Sequence, residues 1–311
     1  ARHESCLHQL CIAMGSVTPC CVEARPALPS MSMNGHTWTT HNVASTRDVT
    51  LAVHHFGGTG PTLLINHATG FHARCYLPMM ATLTQHFDVW GADFAGHGDS
   101  TLPANNDFAW TGFADDVLTV IDHIGASSVR AFGHSMGGTA TLLAAQKRPG
   151  MIEAAWLYEP IVFPPNIVPR NSMMAEAAGK RRREFDSKPE ALHRYANRPP
   201  LGLMRADALA AYVEHGFHDT EAGTVTLACA PESEADTFNN AGISVEDIRG
   251  LDLRVTIAHG QSMTEPSPAG FAGPTADALP NGTLAVYDGL GHFGPLQDPD
   301  RIAHDVVTFL T

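Results

Sequence analysis

Positive charge is what this chain has least of. Nineteen lysines and arginines stand against 32 aspartates and glutamates in 311 residues, a formal net charge of −13 with histidine neutral. Nucleic acid and anionic membrane surfaces both require a basic face, so neither is an expected partner. Long apolar runs are also missing. No stretch approaches the ~18 uninterrupted apolar residues of a spanning helix, and no membrane span is expected. Cysteine is scarce outside one end: Cys6, Cys11, Cys20 and Cys21 all fall in the first 33 residues, leaving Cys75 and Cys229 isolated, as buried thiols are. The clustered four match no zinc spacing, and adjacent Cys20 and Cys21 make a poor pair. No metal and no other cofactor is called for. An apolar content of 44% against 16% charged excludes a disordered chain.

Residues 1–33 read as an irregular N-terminal extension without periodicity. Leu7 to Val17 is interrupted by His8 and Gln9 and makes a poor signal-peptide core. The default expectation is a soluble, cytoplasmic protein, monomer or homodimer, with a small molecule as its partner. The length suits two average domains, or one large α/β domain carrying an insertion.

From residue 34 the chain alternates strand and helix patterns. Arg47 to Phe56, Thr62 to His67 and Phe87 to Asp93 read as strands. A helix is expected over Tyr76 to His86. Another is expected over Thr111 to Ile124, capped by Thr111, with Phe113, Val117, Val120 and Ile121 on one face. Ile152 to Tyr158, Asp252 to Ala258 and Gly282 to Tyr287 continue the strands, and Pro299 to Leu310 closes with a helix. Alternation of this kind specifies a mostly parallel sheet flanked by helices. The rhythm breaks over 161–250, where helical patterns near Ser172–Phe185, Lys188–Ala196 and Arg205–His215 lie among proline pairs, with no strong buried strand. The division expected is therefore a core of 34–160 plus 251–311, with 161–250 a helical cap over the sheet edge where open α/β sheets bind ligands. The run Lys180-Arg-Arg-Arg183 in that insertion could grip an anionic substrate, but a solvated helix face is the preferred reading.

The chain's chemical centre is Gly133-His-Ser135-Met-Gly137. A β-branched and aromatic run leads in and a helix-favouring run leads out, so the serine sits on a sharp strand-to-helix turn that needs small residues on either side. A helix N-terminus behind it favours developing negative charge. A glycine-rich turn with an ordinary serine is the plain alternative.

Together with His67-Ala-Thr-Gly70, Asp93-Phe-Ala-Gly-His-Gly-Asp-Ser100 and Gly291-His292-Phe293, in this order, the elbow resembles the α/β-hydrolase fold family over roughly residues 36–311. The resemblance implies an α/β-hydrolase fold of the serine-nucleophile branch. It implies Ser135 as nucleophile and His292 as its base, chosen by position from eighteen histidines. His134 is read as packing, and His97 and His259 as structural. The oxyanion hole is expected from the backbone amides of Met136 and Thr69, with Gly70 alongside. The acid departs from the common pattern: after the strand at Val255–Ala258 comes His259-Gly260-Gln261-Ser262-Met263, which offers no carboxylate. Glu159, at the end of the strand after the elbow helix, is preferred; Glu265 is the alternative acid and Asp288 a third. Phe71, Phe163 and Phe217 are candidate pocket lining.

The function expected is a serine hydrolase acting through an acyl-enzyme on a small carboxylic ester, thioester or lactone. Amide or carbon–carbon bond hydrolysis by the same triad is the alternative. A non-catalytic receptor or scaffold is the rival class, suggested by the missing late acid.

Overall fold

The computed structural model describes residues 31–33, 36–165, 172–261 and 268–311. Glu265 and the N-terminal cysteines lie outside them. Strands β1 (Met31–Met33), β2 (His36–Ala44), β3 (Thr50–Gly57), β4 (Thr62–Asn66), β5 (Asp88–Ala92), β6 (Val129–His134) and β7 (Ile152–Tyr158) precede the insertion. Within it lie β8 (Glu184–Phe185), β9 (Phe217–Asp219) and β10 (Val225–Leu227), and after it β11 (Arg254–Gln261) and β12 (Gly282–Asp288). The main sheet runs β1-β2-β3-β5-β4-β6-β7-β11-β12. Pairing is antiparallel from β1 to β5 and parallel from there to β12. This is the α/β-hydrolase fold. β1 falls within the stretch expected to be irregular to residue 33, so the ordered edge begins earlier than the composition suggested.

Side chains alternate across a strand, and here both faces are covered. Leu64, Ala131 and Leu157 face one core, with Phe113, Val117, Val120 and Ile121 of the Trp110–Ile124 helix and Ala140, Leu143 and Ala144 of the Met136–Lys147 helix. Leu63, Ile65, Phe132, Trp156 and Tyr158 face the other, against Met79, Met80 and Leu83 and against Ile302 and Val306 of the Pro299–Leu310 helix. At about 1.5–3 kcal/mol per buried large apolar side chain, these two layers hold the central strands rigidly. The Trp110–Ile124 helix starts one residue before the expected cap; Ala109 occupies the N-cap and Thr111 lies inside. Trp110, nearly fully buried, donates its indole N–H to the Thr237 carbonyl (2.8 Å), so a long-range contact fixes this start instead of a local cap. Between β4 and β5 the expected helix is a 3-10 segment (Ala73–Met79) followed by one α turn (Met80–Leu83).

The insertion leaves and returns at one point, where Phe163 and Ser244 form a short parallel bridge. Its longer helices span Met173–Gly179, Lys188–Ala196, Ala206–His215 and Pro231–Asn239. Ser172 and Ser187 cap the first two, accepting from the amides of Ala175 and Glu190. The expectation of helical patterns with no strong buried strand needs an addition: three short strands, β8, β10 and β9, form a small antiparallel sheet. The reading of Lys180–Arg183 as a helix face needs correction. The helix stops at Gly179, Arg182 and Arg183 enter the turn before β8, and Arg181 turns inward. Among the described residues no helix is long and apolar enough to cross a membrane.

Candidate active site

Ser135 stands between β6 and the Met136–Lys147 helix with φ 54° and ψ −119°, a conformation that costs an L-residue of order 1–3 kcal/mol. Glycine makes the turn possible by close approach. A Cβ on Gly133 would lie 2.6 Å from the Gly138 Cα, and one on Gly137 would lie 2.2 Å from the Asn66 carbonyl oxygen. Ser135 N–H donates to the Tyr158 carbonyl (2.9 Å), and Glu159 N–H donates to the Ala258 carbonyl (2.7 Å). These are the two sides of a single peptide unit at the end of β7, so one rigid plane ties the elbow of β6 to the end of β11. Glu159 itself has φ +44°, an uncommon value for a residue with a side chain.

The Glu159 carboxylate is fully buried. It accepts from Gly260 N–H (2.9 Å) through Oε1 and from His292 Nδ1 (2.6 Å) through Oε2. An ionised carboxylate can only accept, so Nδ1 carries the hydrogen and Nε2 is left as the ring's basic atom. Ser135 and His292 line the same cavity, of about 400 Å³, together with Thr69. Met136 begins the elbow helix, fully buried. Of the other acids considered, Asp288 is exposed at the end of β12, and Glu265 is outside the described residues.

The loop carrying His292 is held by side chains that no motif marks. Tyr158 OH donates to the Gly291 carbonyl (2.9 Å), and Gly291 N–H donates to Gln297 Oε1 (2.8 Å). His134, expected only to pack, also acts here: its Nε2 donates to the His292 carbonyl (2.8 Å), and its Nδ1 accepts from Tyr76 OH (2.8 Å). Burial, with the neighbouring His292, holds the His134 pKa well below the usual histidine value, so this ring is neutral.

The Thr69 loop is anchored in the same manner. His67 Nε2 accepts from Phe94 N–H (2.9 Å) and its Nδ1 donates to the Ala68 carbonyl (2.8 Å); burial pushes its pKa down to about 3. Asp93 receives N–H groups from Ala73 and Asp99 (both 2.9 Å) and lies 3.3 Å from both Arg74 and His54. Burial raises the Asp93 pKa, but His54 and Arg74 outweigh it and the carboxylate stays well below its ordinary range. The Asp93–Ser100 motif therefore serves to fix the neighbouring loop. His97, also read as structural, is buried and bonds to the Ala95 carbonyl (3.0 Å).

These rings set a pH dependence. His67 and His72 are held at about 3 mainly by burial, and His134 is also lowered. Each ring is neutral when folded but takes a proton in the unfolded chain below about pH 6.5. Stability is therefore full above that value and is lost as pH falls below it, down to about 3 for His67 and His72, by up to about 1.4 kcal/mol per pH unit for each ring. Urea unfolding at pH 7 and pH 5 should show the lower midpoint at pH 5; equal midpoints would contradict the burial of neutral histidines.

Phe71 lines the cavity as expected. Phe163 instead packs edge-on against Phe271 (5.4 Å), neither of them lining the cavity, and Phe217 packs edge-on against Phe185 (5.5 Å), one layer behind the wall. Tyr212 and Phe293 are wall residues not named as lining from the sequence, and Arg181, from the run weighed as an anion grip, is another.

The profile of the alpha/beta hydrolase family matches residues 62–306. A 2-(acetamidomethylene)succinate hydrolase of Mesorhizobium japonicum is 26% identical over 258 residues, covering 81% of this chain and 89% of that protein. An (E)-2-((N-methylformamido)methylene)succinate hydrolase of Acinetobacter baylyi is 31% identical over a shorter stretch of 96 residues, covering 31% of this chain and 36% of its own. Among solved structures, that of an E-2-(acetamidomethylene)succinate hydrolase superposes with a TM-score of 0.74 at 24% identity, over 88% of this chain and 99% of the other. With the profile spanning most of its length and the sheet order and elbow in place, the chain belongs to the α/β-hydrolase family.

Proposed function

We propose that this hydrolase cleaves a small carboxylic amide through an acyl-enzyme, with Ser135 as nucleophile, His292 as general base and acid, and Glu159 as the acid of the triad. The observation that carries the reading is the 2.6 Å bond from His292 Nδ1 to buried Glu159, on a ring that shares a cavity with the elbow serine. Ser135 Oγ attacks the carbonyl carbon while its proton passes to His292 Nε2, and the Met136 and Thr69 amides receive the oxyanion. His292 then protonates the leaving nitrogen as the C–N bond breaks. Water, deprotonated by the same ring, releases the acid and restores the serine.

The amide assignment comes from the relatives, whose names describe hydrolysis of an acetamido and an N-methylformamido compound. Esters, thioesters and lactones, the first expectation, use the same steps with a better leaving group and serve as reporter substrates. A carboxylate already bonded to His292 weighs against the non-catalytic binder, whose motive was a missing acid. In this reading residues 34–160 and 251–311 form the core and 161–250 a cap that selects the substrate.

A fluorophosphonate probe followed by peptide mass spectrometry, with a panel of N-acyl amides and matched esters, tests the proposal. The expected result is one modified peptide containing Ser135 and turnover of amides as well as esters. An unlabelled protein would sink the hydrolase reading; a labelled protein that turns over esters alone would sink its amide half.

A further inference from the structure

Lys180, Arg181, Arg182, Arg194 and Arg198 all line the cavity that holds Ser135 and His292, and among the described lining residues Glu234 is the one acid facing them. In a chain with only 19 lysines and arginines and a net charge of −13, such a concentration in one wall calls for a cause. Three of these cations are answered locally. Lys180 pairs with Glu176, Arg182 with Glu190 (2.9 Å), and Arg181 with Glu234 while donating to Tyr212 OH (2.6 Å). Arg194, half-buried, and Arg198, exposed, take part in none of the ion pairs or side-chain hydrogen bonds found among the described residues. Complementing the C-terminal dipole of the Lys188–Ala196 helix explains a cation at Arg194, but Arg198 lies beyond the helix end.

Resting on the acyl-enzyme reading, we propose that Arg194 and Arg198 bind a free carboxylate on the substrate, so that the preferred substrates are small amides or esters of acids that keep one negative charge away from the scissile bond. A guanidinium offers two parallel N–H donors to a carboxylate; with Arg194 half-buried and Arg198 exposed, that geometry, more than exclusion of water, would carry the bond. The site also overcomes the repulsion that a chain of this net charge exerts on an anion, because the local field inside a cleft is set by the nearest charges. Turnover of neutral analogues would lack this anchor.

Two matched pairs test the idea and locate the charge. Succinic acid mono-4-nitroanilide against its methyl ester carries the charge on the acyl side; 4-acetoxybenzoate against its methyl ester carries it on the leaving group. The readout is the ratio of kcat/KM for the charged and neutral members, each corrected for its rate with hydroxide. Wild type should favour the charged member of at least one pair by about 10- to 100-fold, and Arg194→Gln with Arg198→Gln should bring that ratio close to one. Calorimetric binding of succinate to Ser135→Ala gives a readout independent of chemistry, and adding the two arginine changes should weaken it at least 10-fold. Ratios near one in wild type, or ratios and succinate binding that the arginine changes leave intact, would overturn the proposal. If no member of either pair is turned over, the acyl-enzyme reading fails and calorimetry alone decides: arginine-dependent binding upholds the carboxylate site, and absent or arginine-independent binding rejects it.

Discussion

Ser135→Ala should lower kcat by about 10⁴- to 10⁶-fold, with the fold retained. The size follows from the residue's place in the proposed reaction. Without Oγ there is no acyl-enzyme, and His292 has no hydroxyl to deprotonate. The residual rate would be that of water attacking a substrate held in the cavity beside the Met136 and Thr69 amides. Alanine must adopt the same φ of 54° that serine adopts, so the change neither relieves nor adds backbone strain and the unfolding midpoint should stay close to wild type. Loss of activity with an unchanged midpoint separates chemistry from misfolding. A variant keeping a tenth of wild-type kcat would remove Ser135 from the mechanism.

Glu159→Gln should cost about 10²- to 10⁴-fold in kcat with little change in KM. A glutamine can keep its carbonyl oxygen on Gly260 N–H, but it then presents an amide N–H₂ to His292 Nδ1. That ring nitrogen must become the acceptor, the proton moves to Nε2, and the base facing the substrate is lost. KM is spared because Glu159 lies behind His292 and does not line the cavity. Glu265→Gln, made in parallel, should leave kcat within about twofold on the same reasoning. The reverse pattern would transfer the acid's role to Glu265.

How far the sequence led depended on the range of the interaction. The elbow was legible because strand, serine, flanking glycines and helix are contiguous. That His292 and Glu159 would come together was legible through chain order, along which the proposed nucleophile, acid and base follow one another. What escaped is long-range. Tyr158 reads as one more buried residue of an apolar strand, yet its hydroxyl meets the Gly291 carbonyl 133 positions away. His134 looked like packing because its two partners, Tyr76 and His292, are distant in sequence. In the insertion, strands of two and three residues are too short for any periodicity to register. Arg181 looked like part of a solvated run because nothing local shows that Glu234 and Tyr212 receive it.

Ser135 and Glu159 are both held at positive φ on residues that carry side chains, at the ends of adjacent strands β6 and β7. Each conformation is one that glycine would adopt freely, so at both positions the substitution that eases the backbone is also the one that deletes a side chain of the proposed triad. Selection for heat resistance alone would therefore be drawn first to the two residues the proposed reaction can least spare. A thermostabilised form of this hydrolase would have to be chosen by turnover and melting together, with the added rigidity placed in the surrounding elements and the elbow left strained.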